Sequence, residues 1–445
     1  MKILIAGAGA VGTHLAKLLG QENHDITLMD ADKDRLSFIR DSSDIMTYVG
    51  NCASLKDLNA VNVANTDLFI GVTPEESKNI TSCMLASNLG AHRTLARIDN
   101  YEYLLPKNLE FFEKLGINSM IYPELMAARE IAMAIKTPWT RFWWELCNGT
   151  VILIGAKIRD NAPLVNKYLH ELFQENKQFH LVAIKRNAQT IIPKGSDKIL
   201  SNDILYFTSL RKHVNLLPQL LGKKSFETKK LMFMGGSRIA MKTIQQLPPN
   251  IDIKIIEQDR ERAEMLVEKC PSNVTVFVED GRNAEFLIRE GITETDAFLA
   301  LTANSEANIL GCMMAKQYGV KKTVAEVENI DYISMAEQLD IGTVINKKLI
   351  AASKIYELLL KADASNIKSL TFGDANVGEI IAKPKSKVTR KQIKDLNLPP
   401  DITFGALIRD GEPMLVYGDT LIEPNDRVVV FFLNKSLKSI ENLFN

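Results

Sequence analysis

Residues 1–30 read MKILIAGAGAVGTHLAKLLGQENHDITLMD. At their centre Gly7-Ala8-Gly9-Ala10-Val11-Gly12 joins an apolar run (residues 2–6) to a stretch with apolar residues at helical spacing (residues 11–19). A glycine-rich turn between a buried strand and a helix gives each glycine a mechanical task. Gly7 permits the tight turn, Gly9 lets backbone approach a pyrophosphate, and Gly12 lets the helix pack close to the strand. The N–H groups at the helix start then face phosphate oxygens. A second strand pattern, residues 25–29, runs into Asp30, 18 residues beyond Gly12 (30 − 12). A carboxylate there accepts both ribose hydroxyls and repels a 2′-phosphate, which favours NAD(H) or another adenine nucleotide over NADP. A purely structural glycine turn is the alternative; strand, helix and acid together favour nucleotide binding.

The alternation continues beyond Asp30. Strand patterns at 44–48, 67–73 and 93–97 are separated by helical ones, with Gly50-Asn51-Cys52-Ala53 after the third strand, Thr73 closing the fourth and Arg97 the fifth. This order predicts a parallel, doubly wound sheet, with ligand beyond the carboxyl ends of its strands, where Gly7, Asp30, Gly50 and Thr73 would lie. A strand at 119–122 and a helix at 123–136 complete the unit. Trp139, Trp143 and Trp144 then mark a change of composition, read either as a subunit-facing anchor or as packing at a domain junction. Residues 151–210 alternate as strands do, with turn signals at 193–197 and at Ser201-Asn202-Asp203.

The whole pattern then recurs. Gly235-Gly236-Ser237-Arg238-Ile239-Ala240 is a degenerate copy of the glycine turn, offset by 228 (235 − 7), and Glu257 answers Asp30 at 227 (257 − 30). Residues 67–69, Thr73 and residues 79–84 answer 296–298, Thr302 and 308–313 at 229. Ala183, Gly195, Asn202 and Asp203 answer Ala406, Gly418, Asn425 and Asp426 at 223. So many agreeing offsets mark an internal duplication of the full chain. The expected class is α/β: two doubly wound, Rossmann-like parallel-sheet domains (1–136 and 226–360), each followed by a small α+β lobe (137–225 and 361–445).

The chain of 445 residues carries 54 Lys+Arg and 54 Asp+Glu, so no global field draws it to nucleic acid or an anionic membrane. No apolar run approaches the ~20 residues of a membrane helix, and the first strand begins at Lys2, so a cytoplasmic location is expected. Cys52, Cys83, Cys147, Cys270 and Cys312 have no zinc spacing and read as reduced thiols. HExxH, GxSxG and GKS/T signatures do not occur, and no catalytic or metal-ligating set emerges.

Two nucleotide folds, each followed by a small lobe with an Asn-Asp turn, resemble the cytosolic subunit of Trk-type potassium uptake systems, built from regulator-of-potassium-conductance domains. The likeness spans essentially the whole chain. It rests on Gly7-x-Gly9-x-x-Gly12, Asp30, Gly50-Asn51, Thr73 with Glu76 and Asn79, and Ser201-Asn202-Asp203. It implies a non-enzymatic, nucleotide-sensing subunit that binds NAD(H) or ATP/ADP. It also implies a homo-oligomeric ring, expected as a tetramer, at the cytoplasmic face of the inner membrane beneath a potassium-conducting membrane subunit. The chain departs from the family pattern at Asn51, where aspartate is common, and at Ser237 and Ala240, which replace motif glycines.

The candidate nucleotide contacts in the first half are therefore Gly7, Ala8, Gly9, Ala10, Val11, Gly12, Asp30, Asn51, Cys52, Thr73 and Arg97. Those in the second are Gly235, Gly236, Ser237, Arg238, Ile239 and Glu257. A side chain at Ser237 intrudes where backbone should meet phosphate, so the second site is expected to be weaker or altered. Arg238 is either a phosphate contact or an exposed helix-start cation, and Lys33 and Arg35 either reach terminal phosphates or form a solvated face. His14 is expected to pack. The competing functions are an NAD-dependent oxidoreductase, for which the small lobes offer no evident proton donor, and a regulator of another cation transporter.

Overall fold

Strands covered on both faces are apolar at every position, and Ile3, Leu4, Ile5 and Ala6 are all buried. In the computed structural model, which describes residues 1–20, 24–40, 45–175, 177–187, 189–360, 365–369, 375–433 and 437–444, this run is β1 (Lys2–Ala6), near the middle of a parallel sheet. The other strands are β2 (Asp25–Asp30), β3 (Met46–Val49), β4 (Leu68–Gly71), β5 (Thr94–Arg97) and β6 (Ser119–Ile121), in the order β3-β2-β1-β4-β5-β6. Asp44, expected to open the third strand, lies outside the described residues. The strand order reverses between β1 and β4, which places a crevice beyond their carboxyl ends.

An antiparallel sheet follows, in the order β10-β9-β11-β8-β7. It is built from β7 (Phe142–Leu146), β8 (Val151–Lys157), β9 (Phe179–Arg186), β10 (Gln189–Ile191) and β11 (Ile204–Leu210). The second half repeats both. Strands β12 (Lys230–Met234), β13 (Asp252–Glu257), β14 (Val274–Val278), β15 (Ala297–Ala300), β16 (Lys322–Glu326) and β17 (Thr343–Ile345) take the first sheet's parallel order. Strands β18 (Ser365–Ser369), β19 (Ala375–Ile381), β20 (Ile402–Arg409), β21 (Glu412–Leu415) and β22 (Arg427–Leu433) form an antiparallel sheet ordered β18-β19-β22-β20-β21. The α/β class with two Rossmann-like sheets, each succeeded by a small lobe, is the one the sequence predicts. The described residues fall into two compact units, Met1–Ala127 with Lys347–Ile355 and Ala128–Asn346 with Tyr356–Asn445.

The Asn-Asp turns are structural devices. Asn202 and Asn425 adopt left-handed backbone, φ 69° and 73°, a conformation that asparagine tolerates better than most side chains. Asp203 then takes a two-pronged pair of bonds from Arg186 (2.9 and 2.8 Å), and Asp426 takes the same from Arg409 (3.0 and 2.7 Å). Both carboxylates are almost fully buried, so planar guanidinium pairing is the geometry that offsets their desolvation.

Within the second unit the two antiparallel sheets share one core. Val151, Leu153, Val182 and Tyr206 of the first lobe pack with Val377, Ala406, Val429 and Phe431 of the second. Each lobe carries a register shift at the same place: Val182 is skipped in the β9–β11 pairing and Gly405 in the β20–β22 pairing (182 + 223 = 405). These bulges meet, since a Cβ at Gly405 would lie 3.0 Å from a Val182 methyl and 2.8 Å from Thr208. The Thr208 hydroxyl donates to the Gly405 carbonyl at 3.0 Å. The tryptophans divide over this arrangement. Trp139 and Trp143 pack on the first lobe's inner core and Trp144 on the core shared by the lobes, which favours the junction reading over a subunit anchor.

The first lobe is also tied to the second nucleotide fold through Asp340. Its carboxylate contacts Arg141 and Arg159, and lies 3.3 Å from Lys157 and 3.4 Å from Lys316. Burial alone would raise its pKa. Arg141, then Arg159 and Lys316, outweigh burial and hold it well below the usual carboxylate range. Asp340 is left-handed (φ 57°) where Gly116 stands in the first half (φ 86°; 340 − 116 = 224). An aspartate therefore occupies a position where glycine would be unstrained.

Removing one partner of a largely buried ion cluster strands its cations, so Asp340→Ala should lower stability by about 3 kcal/mol in urea denaturation. Because the folded-state pKa is depressed, this contribution is present above the unfolded value of about 4 and drains away as pH falls below it. Wild type and variant should therefore converge in acid. A gap that stays constant down to pH 2 would separate the stabilisation from the ionised carboxylate.

Candidate functional site: the two glycine turns

The first turn leaves β1 at Gly7, whose φ of +114° only glycine adopts without strain; a Cβ there would stand 2.9 Å from the Thr73 nitrogen. A Cβ on Gly12 would fall 1.9 Å from the Gly7 carbonyl oxygen, so the helix Ala10–Gly20 approaches the strand end more closely than any side chain allows. At Gly9, between them, a Cβ would meet nothing within 4 Å. The middle glycine is therefore not needed for packing, and the space over it suits the close approach of a ligand phosphate. Asp30, at the end of β2, braces the turn: its carboxylate accepts the Ala8 N–H at 2.6 Å and the Asp32 N–H at 2.9 Å. Arg35 lies 4.0 Å from Asp30 and 3.3 Å from Asp32, so it is half-exposed among acids rather than a bare cation.

The remaining first-half candidates sit at the ends of the neighbouring strands. Thr73, buried after β4, gives both its N–H (2.8 Å) and its hydroxyl (2.7 Å) to Asn79 Oδ1, while Asn79 Nδ2 donates to the Thr73 and Arg97 carbonyls at 3.0 Å each. Asn51 accepts the Ala53 N–H at 3.0 Å, and its own N–H goes to Asp57 at 2.9 Å. Burial pushes the Cys52 thiol pKa up. Arg97, at the end of β5, pairs with Glu124 at 3.0 Å, and its Nε is buried without a hydrogen-bond partner among the described residues. His14 is half-buried, with its pKa lowered by burial and by Lys17, in keeping with packing.

In the second turn the frame is kept and the surface is not. Gly235 has φ +95°, and Glu257 accepts the Gly236 N–H at 2.8 Å, as Asp30 does for Ala8. A Cβ on Gly236 would meet the end of the Leu266 side chain at 2.1 Å, so a larger residue there would have to displace that leucine. Ser237, in the place of Gly9, turns its hydroxyl onto the Ala240 N–H at 3.3 Å and caps the short helix Arg238–Ile244. It thereby occupies a donor that a phosphate would otherwise take. Ile239 and Ala240 are buried and Arg238 is exposed. Thr302 and Asn308 repeat the Thr73–Asn79 bonds, but Glu326 stands where Arg97 does (326 − 97 = 229), placing an acid near any bound anion.

Two contributors escaped the sequence reading of the site. Asp57 holds the Asn51 turn, and its signal was the Ser54-x-x-Asp57 capping pattern, which the structure realises with the Asp57 N–H on the Ser54 hydroxyl at 3.3 Å. Glu76 is among the residues that carry the family resemblance but not among the candidate nucleotide contacts. It binds the Asn100 N–H at 2.7 Å and so fixes the loop after β5, a task that Ser305 performs for Glu328 (3.0 Å) in the second half.

Comparison with known proteins agrees with this plan. The TrkA-N domain model matches residues 3–123 and 231–347, and the TrkA-C domain model matches residues 153–222 and 377–445. The Trk system potassium uptake protein TrkA of Vibrio alginolyticus is 31% identical over 452 residues, covering 100% of this chain and 98% of that one. The TrkA homolog of Archaeoglobus fulgidus is 29% identical over 445 residues, with full coverage of both. Among solved structures, the GsuK RCK domain superposes with a TM-score of 0.64 at 14% identity, over 100% of this chain and 94% of that one. The GsuK channel bound to NAD gives 0.63 at 14%, over 100% and 78%. At that identity the likeness concerns fold. The class is thus a tandem array of nucleotide fold and small lobe, twice over. The chain belongs to the family of the Trk system potassium uptake protein TrkA.

The two glycines should separate packing from binding. Gly12→Ala should cost about 1–3 kcal/mol through overpacking, whereas Gly9→Ala, with open space around its Cβ, should stay within about 0.5 kcal/mol of wild type. Urea titrations of the two variants check this; equal losses would show that the crevice over Gly9 is closed in solution.

Proposed function

We propose that this chain is the nucleotide-sensing regulatory subunit of a Trk-type potassium uptake system. On this reading it binds NAD(H) or an adenine nucleotide at Gly7–Gly12, with Asp30 on the ribose and Arg97 toward the phosphates. The second turn, capped by Ser237 and faced by Glu326, binds nucleotide more weakly. The observation that carries the reading is the open position over Gly9, flanked by the Ala8–Asp30 bond, within a full-length duplicated family architecture. Adenine nucleotides fit because their phosphates need backbone donors and their ribose an acid, and both converge here. A solved structural neighbour is a channel bound to NAD and another is bound to ADP.

The regulatory reading, against an oxidoreductase, is supported by what the strand ends offer. The Thr73 hydroxyl is spent on Asn79 and burial keeps the Cys52 thiol protonated, so neither is poised to move a proton. Among the described residues no helix is long and apolar enough to cross a membrane, and no group of three or more His, Cys, Asp or Glu is placed to hold a metal. Ion conduction then belongs to a separate potassium-conducting membrane subunit. The chain acts on it as a homo-oligomeric ring, a tetramer, at the cytoplasmic face of the inner membrane. Nucleotide biases the ring through different affinities in its two conformations, and a tenfold difference per site is worth about 1.4 kcal/mol.

Gly9→Asp places an anion where phosphate would sit without repacking the turn. It should abolish the nucleotide dependence of potassium flux in reconstituted vesicles while the variant still co-purifies with the membrane subunit. Asp30→Ala should weaken NADH or ADP roughly tenfold by calorimetry. A normal nucleotide response in Gly9→Asp would refute the site. NADH oxidation with carbonyl substrates at about 1 per second or faster would restore the oxidoreductase reading.

A further inference from the structure

Away from both glycine turns, the second unit contains a cavity of about 210 Å³ between the start of the first small lobe and the edge of the second nucleotide fold. Eight cationic side chains line it and no acidic one does. Arg141 precedes β7, Lys157 ends β8 and Arg159 follows it, Lys223 follows the helix Leu217–Leu220, Lys316 lies in the last turn of the helix Ser305–Gln317, and Lys322 opens β16. Lys224 and Lys321 stand exposed at the rim.

Asp340 touches four of these cations and so cannot neutralise the set. Lys322 is buried, 4% exposed, and donates to the Thr140 carbonyl at 2.7 Å and the Thr343 hydroxyl at 3.0 Å. No described carboxylate pairs with Lys322, Lys223 or Lys224. Burial, with Arg141 and Lys316 nearby, pulls the Lys322 pKa down to about 7. Burial and the guanidinium of Arg159, with Arg141 and Lys157 and against Asp340, bring Lys223 to about 8. Burial likewise lowers Lys157 and Lys316. Crowded, partly desolvated cations repel one another and favour an anion among them.

The duplication supplies an internal control. In the first half Ser87 holds the place of Lys316 (316 − 229) and Gly116 that of Asp340. In the second lobe Ile381, paired with Arg427, holds the place of Lys157, paired with Ile204. The same folds therefore stand without the charges of Lys157, Lys316 and Asp340, so these three are not a requirement of the architecture.

We propose that this cavity is a second anion site, which takes a compact polyphosphate, either free or as the terminal phosphates of a nucleoside polyphosphate. Its volume is below the roughly 300–1,000 Å³ of pockets that enclose drug-sized ligands, so the phosphates enter and a larger body stays outside. A ligand there would bridge the first lobe and the second nucleotide fold by pairing with cations from both.

The test uses the full chain carrying Gly9→Asp, so that the first glycine turn is silent and a failure of this site is distinguishable from a failure of the proposed function. Inorganic tripolyphosphate, titrated by calorimetry at fixed ionic strength and pH 7, should bind saturably at one per chain. Lys223→Gln, at a half-buried position, and Arg159→Gln should each weaken it about tenfold. Asp340→Asn, which removes a competing carboxylate, should tighten it several-fold. ATP that binds with the same sensitivity to these variants identifies a nucleoside polyphosphate as the source, and tripolyphosphate alone identifies the free anion. Absence of saturable binding at 1 mM, or affinity unmoved by Lys223→Gln and Arg159→Gln, overturns the proposal.

Discussion

A methyl group that cannot exist at residue 12 sets the geometry of the first nucleotide fold. With the Gly7 carbonyl 1.9 Å from where that Cβ would be, helix and strand lock at a spacing fixed by backbone atoms alone. Gly7 is in turn pressed against the end of β4, and Asp30 clasps Ala8 from β2. Three adjacent strands thus converge on one turn. The turn itself is held largely by backbone contacts, so little conformational entropy remains to be lost in ordering it.

The two halves show how one scaffold separates frame from chemistry. The frame is retained in detail: the acid that accepts a turn N–H (Asp30, Glu257), the helix asparagine that donates to the last carbonyl of β5 or β16 (Asn79, Asn308), and the buried thiols Cys83 and Cys312, each bonded to a neighbouring strand carbonyl. The electrostatics are exchanged. Arg97 gives way to Glu326, Gly9 to a self-capping Ser237, and Gly116 to the ion-collecting Asp340. The second crevice thus carries an acid in place of an arginine and a capped N–H in place of a free one, and a cationic pocket lies at the edge of that fold.

The fold was legible because periodicity and turn chemistry agree wherever strands alternate with helices. The glycine turn, Asp30 and the 229-residue offset state the architecture before any contact is known. The Asn-Asp turn was also visible, although its cause, a left-handed asparagine with an arginine clamp on the aspartate, required the strands to be paired. The cationic cavity was invisible for a physical reason. Its members are scattered from Arg141 to Lys322, none belongs to a local pattern, and the overall charge is zero, so only tertiary proximity reveals the excess. Likewise, nothing in the sequence tells that Ser237 spends its hydroxyl on its own helix.

The meeting of the Val182 and Gly405 bulges has a consequence for how such proteins change over time. Two half-length chains joining through identical lobes would have to carry every substitution at that contact twice, once on each side of the symmetry axis. Here the facing residues are valine and glycine, a knob against a hollow, and the knob can grow only as the hollow stays empty. With both halves in one chain this contact is free of self-complementarity. Its two sides can differ at a stoichiometry that the peptide chain itself guarantees.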